Sequence, residues 1–271
     1  MVTAYGARAD FDRALAALRD PPPLATALVL ASVAVSVLLS GWLFHELTRR
    51  FGAVPFWEMQ WLIAAASLAN YLPLKPGLLG RVAYLSARHG IRPADSVRTI
   101  LEAIGLSAAS CASFLAGLVA LRALGIDGGW ALAAPLAVLP ALSLKPVWWL
   151  ARALAIRQCE IALWTLRYWA VFQLVDAPIG LDTAVVLGSV SVIATLVPFV
   201  SNGLGVREWA IGLLAPLIAH DSVSMSQAIV AELVHRVAEL AVVTPLGLFG
   251  FAMLARIDLA RTRAAQPRAR A

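Results

Sequence analysis

Charge is scarce in this chain: Asp, Glu, Lys and Arg together make up 14% of its 271 residues, against 61% for hydrophobic residues, and the mean hydropathy is +0.79. Soluble domains carry about 25% charged residues, so the scarcity excludes one and points to a chain that lives in a bilayer. Lysine is nearly missing, with only Lys75 and Lys145 among 22 basic residues; with so much alanine, this fits a bacterial source with a GC-rich genome. Cysteine is limited to Cys111 and Cys159, both inside apolar runs, which supports neither a disulfide framework nor a thiol metal site. The four histidines, His45, His89, His220 and His235, are scattered. No H-E-x-x-H, G-x-S-x-G, Walker lysine or paired-aspartate motif occurs. Neither catalytic residues nor a metal or cofactor are expected, and an enzyme is the weaker reading. The net charge of +6 sits mostly beside apolar runs, where anionic lipid accounts for it better than nucleic acid does.

What the chain has instead is a succession of apolar runs. Residues 1–23, with Arg8, Arg13 and Arg19 and with Phe11, Leu15 and Leu18 at helical spacing, read as an amphipathic cytoplasmic surface helix. Spans are expected at 24–44, 56–72, 99–121, 130–150, 156–175, 183–200 and 227–255, with 78–89 as a short re-entrant helix. The run 204–219 is short. If it crosses, there are about eight spans and both termini are cytoplasmic, with only Arg49, Arg50 and Arg122 outside; if it is re-entrant, the C-terminal arginines from Arg256 to Arg270 move outside. The charge bias favours crossing. The expectation is an all-α, polytopic transmembrane bundle, one integral domain over 1–271 with a basic cytoplasmic tail from 256, multi-pass in a bacterial cytoplasmic membrane. Trp57, Trp130, Trp148, Trp149 and Trp209 near span ends fit interfacial anchors.

Two runs are broken in a way that an ordinary span is not. Pro198 is followed by Ser201, Asn202, Gly203, Gly205, Arg207 and Glu208; Asn70 and Pro73 are followed by Gly80 and Arg81. Each has a proline closing an apolar run, a glycine seven residues on, and then an arginine, which suggests an internal repeat. Proline removes a donor and glycine weakens helix, so the backbone opens, which a bilayer tolerates only beside protein or a wet cavity. Paired interruptions of this kind point to a transporter's binding site. A guanidinium following free backbone donors suits a phosphate oxygen, which makes Arg81 and Arg207 candidate ligands.

Ionisable groups inside spans need a partner, a cavity or a function. Glu232, His235, Arg236 and Glu239 share one helical face, with Glu232/Arg236 and His235/Glu239 as i,i+4 pairs. The face is either a self-neutralising stripe between helices or the polar wall of a substrate path, with Arg236 on phosphate and a titrating His235 modulating it. Glu160 and Arg167 lie two turns apart and read as structural.

The motifs Asn70-x-x-Pro73 leading to Gly80-Arg81, and Pro198-x4-Gly203-Leu204-Gly205-Val206-Arg207-Glu208 followed by Ala231-Glu232-x3-Arg236, resemble the membrane domain of the lysylphosphatidylglycerol synthase/flippase family. That family includes stand-alone relatives linked to hopanoid and other lipid-linked pathways. It usually has an acidic residue beside the glycine before the first arginine, where this chain has Leu79-Gly80-Arg81-Val82. The soluble aminoacyl-transfer domain has no counterpart here, so the resemblance implies translocation of a polar-headed lipid, with an anionic head group, rather than its aminoacylation. Substrate contacts are expected from Asn70, Arg81, Asn202, Gly203, Gly205, Arg207, Glu208, Glu232, His235, Arg236 and Glu239. The alternatives are an accessory subunit of a lipid-synthesis enzyme, an intramembrane lipid transferase using Glu232, His235 or Glu239 as a base, and, for assembly, a homo-oligomer.

Overall fold

The computed structural model describes residues 21–133, 148–196, 201–219 and 222–265, with Ala16, Arg19 and Leu136 besides. The described residues are helical, with no strand. Most of the N-terminal surface helix, most of the span expected at 130–150, and Pro198 lie outside the described residues. In chain order the helices are α1 (Pro23–Thr48), α2 (Phe56–Ala69), α3 (Pro76–His89), α4 (Pro93–Ala123), α5 (Trp148–Leu174), α6 (Leu181–Thr195), α7 (Val206–Ile218) and α8 (Met225–Ala265). Prolines start α1, α3 and α4, where the missing N–H would have been unpaired anyway. Gly90 ends α3 in the left-handed conformation, with φ 64°.

Three helices, α1, α4 and α8 over Met225–Arg261, are long and apolar enough to cross a membrane by length and composition. Their outward faces carry large apolar side chains such as Leu24, Leu101 and Val237. Over its described residues the chain is thus an all-helical membrane protein. Helix α8 runs on to Ala265, so the tail expected from 256 is partly helix.

The order long, short, short, long occurs twice: α1 to α4, then α5 to α8. The short helices have 14, 14, 15 and 13 residues. At 1.5 Å per residue each is about 20 Å long, well short of a hydrocarbon core of about 30 Å.

Contacts fix how they run. Glu58, in the first turn of α2, accepts from Tyr84 late in α3 at 2.8 Å and from Arg261 of α8 at 2.7 Å, with His89 Nε2 2.8 Å away. So α3 doubles back along α2, and both outer ends meet the C-terminal end of α8. On the other side Arg207 and Gly212 of α7 meet, respectively, Glu232 to Glu239 and Met225 to Ile229 of α8, so α7 runs back toward the start of α8. The outer end of α6 carries Asp182, paired with Arg122 near the end of α4. The inner end of α6 is tied to the first break, where Lys75 Nζ donates to the Thr195 carbonyl at 2.8 Å. Two half-length hairpins, α2–α3 and α6–α7, therefore enter the bundle from opposite ends and meet at their tips.

Helices α1 and α5 complete the frame as an antiparallel pair, with Arg152 on Glu46, Ser40 on Glu160 and Arg167 on Ser32. Trp209, expected near a span end, lies one turn from the inner end of α7 and so sits between the two bundle ends. The largest buried apolar cluster joins α5, α6, α7 and α8 around Val171, Phe172, Leu187, Ile211 and Ala231.

Candidate functional site

Both breaks bend through backbone that L residues seldom adopt. The first passes Leu74 at φ 65° and Lys75 at φ 48°; the second passes Asn202 at φ 44°, Gly203 at φ 73° and Gly205 at φ 81°. Asn70 stabilises the first turn: its Oδ1 accepts the Leu78 N–H at 3.2 Å, a donor it shares with the Lys75 carbonyl at 3.0 Å at the start of α3. Gly203 is needed for closeness as well as for φ, because a Cβ there would lie 2.9 Å from Arg207 Cδ and 3.3 Å from the Ala194 carbonyl.

Where the tips meet there is a polar cavity of about 220 Å³, walled by Asn70, Tyr71 and Asn202 from the breaks, Arg167 of α5, Glu239 of α8 and Ser36 of α1. Arg157 and Glu160 face it as well. A second hollow of about 200 Å³ shares Asn70, Asn202 and Arg157 and extends to Lys75 and Phe44. The sequence expectation that both breaks border one cavity thus corresponds to Asn70 and Asn202.

The charges beside it form a closed network. Arg207 is 0% exposed and lies 2.7 Å from Glu232 Oε1 and 3.0 Å from Glu239 Oε2. Its other contact, 2.7 Å to His235 Nδ1, requires that nitrogen to accept, since a guanidinium can only donate. The imidazole hydrogen therefore sits on Nε2, and Tyr168 stacks on the ring at 4.9 Å. The titrating role expected of His235 does not fit a ring that serves Arg207 as an acceptor.

Glu232 also accepts from Tyr168, and Glu239 accepts from Tyr71 at 3.2 Å and lies 3.6 Å from Arg167. Arg167 in turn donates to the Ser32 hydroxyl and carbonyl, both at 2.8 Å, and to Ser36. Arg236 does not pair with Glu232 along its own helix; it donates to Glu208 at 2.8 Å and to the Asn202 carbonyl at 3.1 Å. Likewise Arg207 is paired across to α8 and not to its neighbour Glu208, and Glu160 pairs with Arg157 and not with Arg167. The i,i+4 pairing expected within the last span is thus largely replaced by pairing between helices: only His235 and Glu239 come within 3.9 Å, and their stronger partner is shared. Gly205 caps α7 with open space where a Cβ would go.

Arg81 is the candidate that the structure leaves apart. It is 2% exposed, lies 3.7 Å over the Phe44 ring, lines a separate, largely apolar hollow between α2, α3 and α8 and not the polar cavity, and has no carboxylate partner among the described residues. Its Nε and Nη2 are buried without acceptors. A buried cation held only by a ring is a net liability to the fold. Arg81→Met is therefore expected to raise the melting temperature of the detergent-solubilised protein, by the equivalent of about 1 kcal/mol or more. A fall would mean that the fold relies on this charge.

Sequence reasoning passed over Lys75, Tyr71, Trp164 and Tyr168, and set Arg167 aside as structural. Trp164 packs against Arg167, Arg207 and His235 with centres 5.0 to 5.3 Å apart, so it stands at the hub of the network. Its signal in the sequence was its place one turn before Tyr168 and three residues before Arg167. No protein-family model and no curated protein sequence matches the chain.

Proposed function

We propose that the protein is a flippase-like integral membrane protein of the lysylphosphatidylglycerol synthase/flippase type, and that it binds and translocates a polar-headed lipid. The carrying observation is the polar cavity at the meeting point of two half-length hairpins that enter from opposite ends. Such a site at the middle of a bilayer admits a head group, while chains remain among the apolar outer faces. The alternative of an intramembrane transferase would draw its base from Glu232 or Glu239, and a proton taken up by either carboxylate would cost its ion pair with the buried Arg207.

The reading includes a topology. The two four-helix units are inverted repeats, each a full crossing, a re-entrant hairpin and a second crossing. Helix α4 ends at one face and α5 begins at the other, so the helices described account for four crossings and two hairpins rather than eight spans. Pro23 and Arg261 then lie at opposite faces, in place of the two cytoplasmic ends expected from charge counting. The face with Arg49, Arg50, Arg88, Arg98, Arg152 and Arg261 is the cytoplasmic one, by the excess of basic residues there. Single cysteines at Gly52, Gly90 and Arg261 are expected to react with an impermeant maleimide only in inside-out vesicles, and those at Gly125, Gly180 and Ser222 only in right-side-out vesicles. A residue of the first set labelled with the second would break the opposed-hairpin topology.

Translocation is tested in vesicles with a head-group-labelled lipid and an impermeant quencher. Vesicles carrying the protein are expected to lose the inner-leaflet signal that protein-free vesicles keep. Identical traces would end the translocation reading.

A further inference from the structure

Each arginine at or beside the cavity already has a carboxylate. Arg157 holds Glu160 at 2.7 Å, Arg167 and Arg207 share Glu239, and Arg236 holds Glu208. A phosphate drawn to any of these cations would displace an acid and strand it in the interior without its counter-charge. Lys75, in the adjoining hollow, donates to the Thr195 carbonyl in the last turn of α6, the partly negative end of that helix.

What the wall retains is hydrogen-bonding capacity without net charge. Carboxylates bound to an arginine keep further lone pairs, so Glu160 and Glu239 present acceptors to the cavity. Phosphate oxygens have no hydrogen to give them and are repelled. A hydroxyl donates to a carboxylate and accepts from an amide or a guanidinium with the same oxygen. The amides of Asn70 and Asn202, the hydroxyls of Ser40 and Ser67, and the Trp164 side chain line the same space, and Arg157 Nε is buried without an acceptor.

Resting on the lipid reading above, we propose that the head group taken by this cavity is uncharged and polyhydroxylated, a sugar or polyol on a lipid, in place of the anionic group expected from the sequence. The hydroxyls bridge the paired acids and bases without breaking any pair.

The test uses the purified full chain in mild detergent and native mass spectrometry with three probes of identical acyl chains: monohexosyl diacylglycerol, phosphatidic acid and diacylglycerol. The expected result is retention of the hexosyl lipid about tenfold above both others, unchanged between low and high salt. Asn202→Gly removes the amide while keeping the left-handed backbone, and Ser67→Ala removes a hydroxyl; each is expected to lower hexosyl retention several-fold and leave diacylglycerol retention as it was. Tighter, salt-sensitive binding of phosphatidic acid would overturn the head-group class while leaving the lipid reading in place. Equal retention of all three would show that the cavity reads no head group and overturn the proposal. Retention of none would remove both this proposal and the lipid-binding part of the reading beneath it.

Discussion

Replacing Arg207 by methionine is expected to bring the protein close to unfolding. The guanidinium is wholly buried and is the common partner of Glu232, Glu239 and His235, so its loss leaves two carboxylates facing each other with only phenolic donors and the more distant Arg167. Breaking one side of a buried ion pair costs about 3 to 5 kcal/mol, a large part of a typical total of about 5 to 15. For a chain of this size the melting temperature should fall by roughly 10 °C. Adding Glu232→Gln and Glu239→Gln to Arg207→Met removes the stranded charges and should recover much of the loss, because these residues act as one unit. A single Arg207→Met variant that melts with the wild type would show that the network is not what joins α7 to α8.

The second large effect is expected at Gly77, in the first turn of α3. A methyl group there would stand 2.0 Å from the Ala66 carbonyl oxygen and 2.6 Å from Asn70 Oδ1. The nearer obstacle is backbone, which cannot rotate aside, so Gly77→Ala must pry α3 from α2 and release the Asn70 contact that starts α3. Loss of folded protein on size-exclusion chromatography is the expected outcome. Gly80, three residues later, has nothing within 4 Å of its missing Cβ and an ordinary helical φ. Gly80→Ala should therefore be neutral or stabilising by up to about 1 kcal/mol. If Gly77→Ala folds as well as Gly80→Ala does, the α2–α3 contact is looser than these distances require.

That contrast marks what could be read from the chain. The position and type of the helices were legible, because apolar runs bounded by Pro and Gly mark them directly: α3 was expected at 78–89 and forms Pro76–His89. The two breaks were legible for the same reason. Which glycine mattered was not, since the seven-residue spacing picked Gly80, whereas close approach to a neighbouring helix, the property of Gly77, leaves no trace in local spacing. Whether the chain passes on or turns back after a break was equally hidden, because Leu74, Lys75 and Asn202 hold positive φ without being glycine. The ionic residues were found but their partners were misassigned: helical periodicity offers Arg236 the acid at i−4, while the fold brings it Glu208 from another helix. Periodicity describes one helix at a time, and this network is made between helices.

Because Glu232 and Glu239 sit on α8, the acids that neutralise Arg207 come from a helix that leaves the ribosome after Arg167 and Arg207 have already been made. Until then both arginines lack those carboxylates, and the tip of the α6–α7 hairpin is held in the bundle through Lys75 and Thr195 but not through Arg207. The order of synthesis therefore makes α8 a clasp: chains cut short before residue 232 should persist as open, protease-sensitive intermediates, and supplying α8 as a separate segment should close them.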